Sequence, residues 1–294
     1  MKKYFVVSDI HSYYWPLVSA LDMAGFDRKN EDHILIVCGD IFDRGPDTLK
    51  VYEFLRTLPK ERRILIRGNH EELLLELVKS EAPNSVDYPN GTLNTFCHIN
   101  NDLMIIPEYF IVDRYWGVRY PEEFNKYWKK AQKNVRNSEI IKWLKSDEWV
   151  DYYELDKYIF VHSFIPVKHL NPEIWDYKDM DNLRPNLQWR KASKKAWRRA
   201  AWGCPYLQFD AGFFNKEIQK GKVLVCGHWH TRDFHMYFAD KGRLNDQLYF
   251  SKNLIALDGR TAGTLNINVL VIDGENCYDK FGNKLEQNAE ITTV

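Results

Sequence analysis

Metal-ligating side chains stand directly after five short apolar runs in this 294-residue sequence. The run Tyr4–Ser8 leads into Asp9 and His11, and His33–Cys38 leads into Asp40. Arg63–Arg67 is followed by Asn69 and His70, the run from Tyr158 closes on His162, and Lys222–Cys226 leads to His228 and His230. A lone Asp or His after a strand is more often a turn former or a satisfied histidine, and Asn69 alone would be an ordinary turn residue. Turn chemistry does not explain the repetition at five run ends. Mixed imidazole and carboxylate donors suit Mn, Fe, Zn, Co or Ni and not a structural thiolate site.

The elements that must position these donors can be read from the same runs. Each run has strand length, and helical spacing follows the first three. Leu17, Leu21 and Ala24 mark a helix within Ser12–Gly25, with Gly25 as its stop. Pro46 suits the first turn of a helix carrying Val51, Phe54, Leu55 and Leu58, and a third helix covers Glu71–Lys79. Strand–helix alternation over about eighty residues predicts βαβ crossovers and a largely parallel sheet, an α/β fold. In such a sheet the carboxyl ends of neighbouring strands share one edge, where ligands bind. That edge would gather Asp9, His11, Asp40, Asn69, His162, His228 and His230.

From 80 to 146 the pattern changes to a loop and then Trp-, Tyr- and Lys-rich helices around Glu122–Lys133 and Glu139–Lys145. This reads as a helical insertion whose aromatics either roof the site or simply pack. A second insertion covers about 171–214. Leu254–Leu257 and Leu265–Ile272 read as an antiparallel pair. Without a Gly/Ser/Pro linker, residues 1–294 are expected to form a single domain.

Asp9-x-His11, Gly39-Asp40-x-x-Asp43-Arg44-Gly45, Gly68-Asn69-His70-Glu71, the strand-terminal His162 and Gly227-His228-x-His230 resemble the ordered motifs of calcineurin-like metallophosphoesterases. The Asp-Arg-Gly and Asn-His-Glu forms are similar to the serine/threonine phosphoprotein phosphatase branch. The resemblance implies a four-layer sandwich of mixed β-sheets flanked by helices, and two divalent metal ions, manganese foremost. It implies that Asp9 and His11 bind one metal, that Asp40 bridges both, and that Asn69, His162 and His228 bind the second. A Gly-His-x-His ending is similar to the wider phosphodiesterase superfamily, where the last histidine, here His230, joins the first metal. Many phosphoprotein phosphatases lack that histidine, and His162 is followed by Ser163-Phe164 in place of the glycines common in that branch.

Two cations ~3.5–4 Å apart acidify a shared water and clamp attacking and departing oxygens, so the implied reaction is in-line attack of a metal-bridging hydroxide on phosphorus. Arg44 offers a planar fork of donors to phosphoryl oxygens. His70 is placed to protonate the leaving oxygen, with Asp43 orienting it. Asp258 is either an outer partner of a metal-binding histidine or part of an Asp258-Gly259 turn.

Forty-one basic and 41 acidic residues cancel, so no global field favours nucleic acid or membrane, and anion recognition must be local. Nothing approaches the ~18 apolar residues of a membrane helix, and with no signal-peptide pattern a cytoplasmic setting is expected. The five cysteines form no CxxC pair. His70-Glu71 lacks the second histidine of HExxH, and no P-loop occurs. His33, His98, His169 and His235 stand outside any motif. The basic stretch Trp189–Arg199 reads either as a solvated helix, Trp inward and Lys outward, or as a phosphate grip in which Arg198 or Arg199 reaches substrate.

The favoured substrates are phosphate monoesters, on phosphoproteins or small phosphorylated molecules. Dinucleoside polyphosphates or phosphodiesters are the alternative. A metal-holding scaffold that binds phosphorylated partners without cleaving them is the non-enzymatic reading, and Arg44 with His70 argues against it.

Overall fold

The computed structural model describes residues 1–101, 112–113, 117–118, 122–174, 176, 178–239 and 244–286. Strands β1 (Lys3–Val7), β2 (His33–Cys38) and β3 (Arg63–Ile66) pair in parallel, with Phe5 opposite Leu35 and Val37 opposite Leu65. Their side chains alternate between two buried faces. Phe5, Val7, Leu35, Val37 and Leu65 meet the helices, while Val6, Ile36, Cys38 and Ile66 meet a second sheet. Burial on both faces is why these strands read as continuous apolar runs. Each fully buried Val, Leu or Ile contributes about 1.5–3 kcal/mol.

Trp149–Val150 extends this sheet in parallel beyond β3, and Leu270–Asp273 and Asn276–Tyr278 extend it antiparallel beyond β1. The second sheet runs Tyr249–Phe250, Leu254–Ala256, Val223–Cys226, Tyr158–Phe160, Tyr153–Glu154, its central three strands parallel. Phe160, Val225 and Ile255 pack towards the first sheet, and Ile159, Leu224 and Cys226 towards Trp189, Trp197 and Phe214. The layers therefore run helices, sheet, sheet, helical outer cover, the mixed α/β sandwich expected.

Four helices follow the strands of the first half: α1 (Tyr14–Met23), α2 (Thr48–Thr57), α3 (Asn69–Leu77) and α4 (Thr92–Asn100). Helix α1 stops where the sequence predicts. Gly25 takes φ +79°, its N–H donates to Asp22 O, and Phe26 N–H donates to Leu21 O, a left-handed C-terminal cap. Helix α2 begins after Asp47, so Pro46 precedes it and does not occupy its first turn. Helix α3 starts at Asn69, two residues ahead of the expected start at Glu71.

The expected C-terminal strand pairing is corrected. Leu254–Ala256 and Leu270–Asp273 do not pair with each other; they lie in different sheets, each apolar on both faces and so able to be buried in either. Within 80–146, helices Glu122–Arg136 and Glu139–Leu144 stand near the expected positions, and Val112–Asp113 and Gly117–Val118 pair antiparallel. Residues 102–111, 114–116 and 119–121 lie outside the described residues, and so does that part of the aromatic roof. The 171–214 segment mixes short helical turns with Leu183–Arg184, which pairs antiparallel with Lys168–His169. All five cysteines are buried and free.

Candidate metal centre

Parallel pairing continues past the ends of β1 and β2. Asp9 N–H donates to Gly39 O (3.1 Å), His11 N–H to Asp40 O (2.9 Å) and Ser12 N–H to Ile41 O (2.8 Å). Those bonds fix Asp9 and His11 beside Asp40. From the second sheet, Gly227 N–H donates to His162 O (2.7 Å), and His228 N–H donates to the Asp9 carboxylate (2.9 Å). The donors of both sheets thereby meet at one seam. Reaching it bends the backbone into left-handed conformations at Asp9, His11, Asp40, Asp43, Arg44 and His228, with φ between +49° and +73°. Each such residue costs about 1 kcal/mol. Gly39 also takes φ +80°, and a Cβ there would press on His162 and the Gly68 backbone.

Asp40 lies at the centre. Its carboxylate is 3.9 Å from His11 Nε2, 3.8 Å from His70 Nε2 and 3.4 Å from His162 Nε2. Among the described residues, two groups of His and carboxylate side chains have ligand atoms within 4.8 Å of one another: Asp40 with His11 and His70, and Asp40 with His162 and His228. Burial pushes the Asp40 carboxyl up, but His162, His70, His11 and His228 outweigh it and hold the group well below its ordinary range. Asp9 goes the other way. Burial first, then the Asp258 and Asp40 carboxylates, raise it well above the ordinary value.

The histidines divide by what stands behind Nδ1. His11 Nδ1 lies 3.0 Å from Phe42 O and His162 Nδ1 2.8 Å from Cys38 O. A carbonyl only accepts, so Nδ1 carries the proton and each Nε2 turns a lone pair towards Asp40. Burial lowers the pKa of His11, His162 and His228, keeping the neutral, metal-binding form. His162 Nε2 is also 2.7 Å from Asn69 Oδ1. The His162 Nε2 lone pair, the Asp40 carboxylate and the Asn69 amide oxygen together form a set of acceptors that a cation satisfies. The residues present fit a divalent metal centre of oxygen and nitrogen donors.

His70 is backed by a carboxylate instead. Its Nδ1 is 2.7 Å from Asp43 Oδ2, and Arg44 Nη2 is 3.3 Å from its Nε2. Burial lowers its pKa, but Asp40 and Asp43 more than offset this and leave it raised. Thr92 Oγ1 donates to the same Asp43 oxygen (2.7 Å), and Asp43 N–H donates to Thr95 Oγ1 (2.9 Å). Helix α4 thus holds Asp43.

Glu71 organises the turns from within. Fully buried, it accepts N–H bonds from Gly68 (2.8 Å), Asp40 (3.0 Å) and Ile41 (2.8 Å), tying the start of α3 to the end of β2. Burial and then Asp40 raise it to about 7, against the pull of those bonds. Its place in the Asn-His-Glu motif was the available signal.

A cavity of about 280 Å³ opens over the cluster, lined by Asp9, His11, Asp40, Arg44, Asn69, His70, His228 and His230. His162 sits behind, its ring 5.0 Å from that of His228. His230 is partly exposed, with Nδ1 4.0 Å from Asp233 and Nε2 4.0 Å from the buried Asp258. Asp258 also caps its own turn, accepting from Arg260 N–H (2.7 Å). Asn90, Trp202, Trp229 and Asp233 complete the lining, and the motifs carried no signal for them.

Arg198 and Arg199 are placed elsewhere. Arg198 Nε pairs with Glu72 (2.9 Å), and Arg199 donates to Pro172 O (2.9 Å) and lines a separate cavity with His169 and Leu183. Trp189 and Trp197 are buried and Lys191, Lys194 and Lys195 exposed, so the basic stretch is a solvated face over an aromatic core.

The family model of the calcineurin-like phosphoesterases matches residues 2–232. The symmetrical bis(5'-nucleosyl)-tetraphosphatase of Aeromonas salmonicida is 38% identical over 77 residues, 26% of this chain and 27% of that one. The protein of the same name from Wigglesworthia glossinidia brevipalpis is 39% identical over 74 residues, 25% of this chain and 26% of its own. The match thus spans about a quarter of the length of these relatives. A cold-active protein tyrosine phosphatase shares the fold, with a TM-score of 0.55 at 15% identity over 97% of this chain and 80% of that one.

Proposed function

Because this chain belongs to the calcineurin-like phosphoesterase family, we propose that its seam cluster holds two divalent cations and hydrolyses phosphate monoesters. The observation that carries this is the convergence of His162 Nε2 and Asn69 Oδ1 on the Asp40 carboxylate, set beside a carboxylate-backed histidine and an arginine. Asp9, His11 and His230 would hold one cation, and Asn69, His162 and His228 the other, with Asp40 shared. When bound, such a pair supplies charge neutralisation and a nucleophilic water at neutral pH. Arg44 binds and orients the phosphoryl oxygens. His70 delivers the proton that Asp43 helps it hold to the departing oxygen.

Manganese is the first metal to test. The named activity of the curated relatives favours a second reading, cleavage of dinucleoside polyphosphates. Purified protein with added Mn²⁺ is assayed for product release from an aryl monoester, an aryl diester and a dinucleoside tetraphosphate. Turnover of the monoester above both others is expected. Preference for the tetraphosphate would replace the first reading with the second, and no turnover of any with metal bound would sink both.

A further inference from the structure

The cavity over the seam is not uniformly polar. One part of its lining is indole: Trp202, which follows the basic helix Lys194–Ala200, and Trp229, which follows His228. Both are half-buried, and both are tied to one atom's surroundings. Gly203 O accepts from Trp229 Nε1 (2.8 Å) and from Ser163 Oγ (3.0 Å), so the loop carrying Trp202 is locked to the turns carrying His162 and His228. Trp229 is further fixed by Tyr206, ring to ring at 5.4 Å, and by the Lys178 ammonium 4.9 Å from its centroid. Trp202 stands nearly perpendicular to His228, at 86° and 6.0 Å. Asp233 lines the same cavity. A carboxylate there repels phosphate but accepts hydrogen bonds from hydroxyls or an amine, so it suits the part of a substrate that is not phosphate.

We propose that Trp202, braced by Trp229, is a stacking wall that selects phosphate compounds carrying a nucleoside, with Asp233 receiving its hydroxyl or amine donors. This rests on the phosphoesterase reading and adds the class of leaving group. A base stacked on an indole gains enough to be seen as a preference of about tenfold or more.

Minimal pairs test it in the Mn²⁺-loaded protein: adenosine 5′-phosphate against ribose 5-phosphate, and diadenosine tetraphosphate against inorganic tripolyphosphate. In whichever pair is hydrolysed, the base-bearing member is expected to have a kcat/KM about tenfold higher or more. Trp202→Ala should collapse that ratio through KM, and Trp202→Phe should restore most of it. A role confined to packing would lower both members alike and leave the ratio standing. A ratio near one in the parent, or one retained in Trp202→Ala, overturns the proposal. Should neither pair be hydrolysed, the hydrolase reading fails for these compounds, and equilibrium dialysis decides the wall separately. Tighter retention of adenosine 5′-phosphate than of ribose 5-phosphate, lost in Trp202→Ala, upholds it; equal retention overturns it.

Discussion

Among the imidazoles of the seam, His70 is set apart by a single partner. A backbone carbonyl behind His11 and His162 fixes a tautomer; the Asp43 carboxylate behind His70 stabilises an added proton. His70→Asn is therefore expected to keep its metal, read by elemental analysis, while losing about 10²-fold or more in kcat on an alkyl phosphate. On an aryl phosphate, whose leaving oxygen needs little protonation, the loss should be far smaller. Equal losses on both would remove the proton-donor role. The residues of this cluster were legible because metal-type ligands recur at strand ends. Glu71 was visible only as a motif letter, since its work is to accept N–H groups some thirty residues away, and no spacing announces that.

At the scale of elements, the chain passes from the first sheet to the second between Trp149–Val150 and Tyr153–Glu154, and a half-buried or buried carboxylate pins each end. Glu148 binds Arg63 Nε (3.1 Å), Arg56 Nη1 (3.0 Å) and Trp143 Nε1 (3.2 Å). Glu154 binds Arg190 Nη2 (3.1 Å) and Lys222 Nζ (2.8 Å). Burial pushes both carboxyls up, but the bonds to Arg63 and Trp143, and to Arg190 and Lys222, outweigh it and hold them below the ordinary value. A depressed acid contributes stability that is complete above its unfolded value and is lost as pH falls through the folded one. Glu148→Gln and Glu154→Gln should each cost about 1–3 kcal/mol at neutral pH. The difference from the parent should shrink as pH falls from the ordinary carboxylate range through the depressed folded value. Thermal unfolding across pH reads this, and a pH-independent difference would contradict it. The sequence made β1, β2 and β3 legible because both their faces are apolar. The same property hid which sheet Leu270–Asp273 joins, and α4 was missed because its useful face is threonine, turned to Asp43.

For the whole molecule, the crowding of Asp9, Asp40 and Asp258 at the seam means that the two sheets meet over like charges. A bound cation removes that repulsion and binds the folded state alone. Chelation at matched ionic strength should lower Tm, and Mn²⁺ at about a hundred times its dissociation constant should return about 2.7 kcal/mol. An unchanged Tm with metal demonstrably removed would refute the link between site and fold.

The contact between His228 N–H and the Asp9 carboxylate closes a loop of 219 positions. During synthesis Asp9, His11, Asp40, Asn69 and His70 leave the ribosome well before His162, and His162 well before His228. A nascent chain therefore carries half a basin of buried-to-be acceptors with no far wall, and the basin can close only when the second sheet docks. On the two-cation proposal, metal capture is then a late event, coupled to that docking and exposed to competition from whichever cation is abundant at that moment.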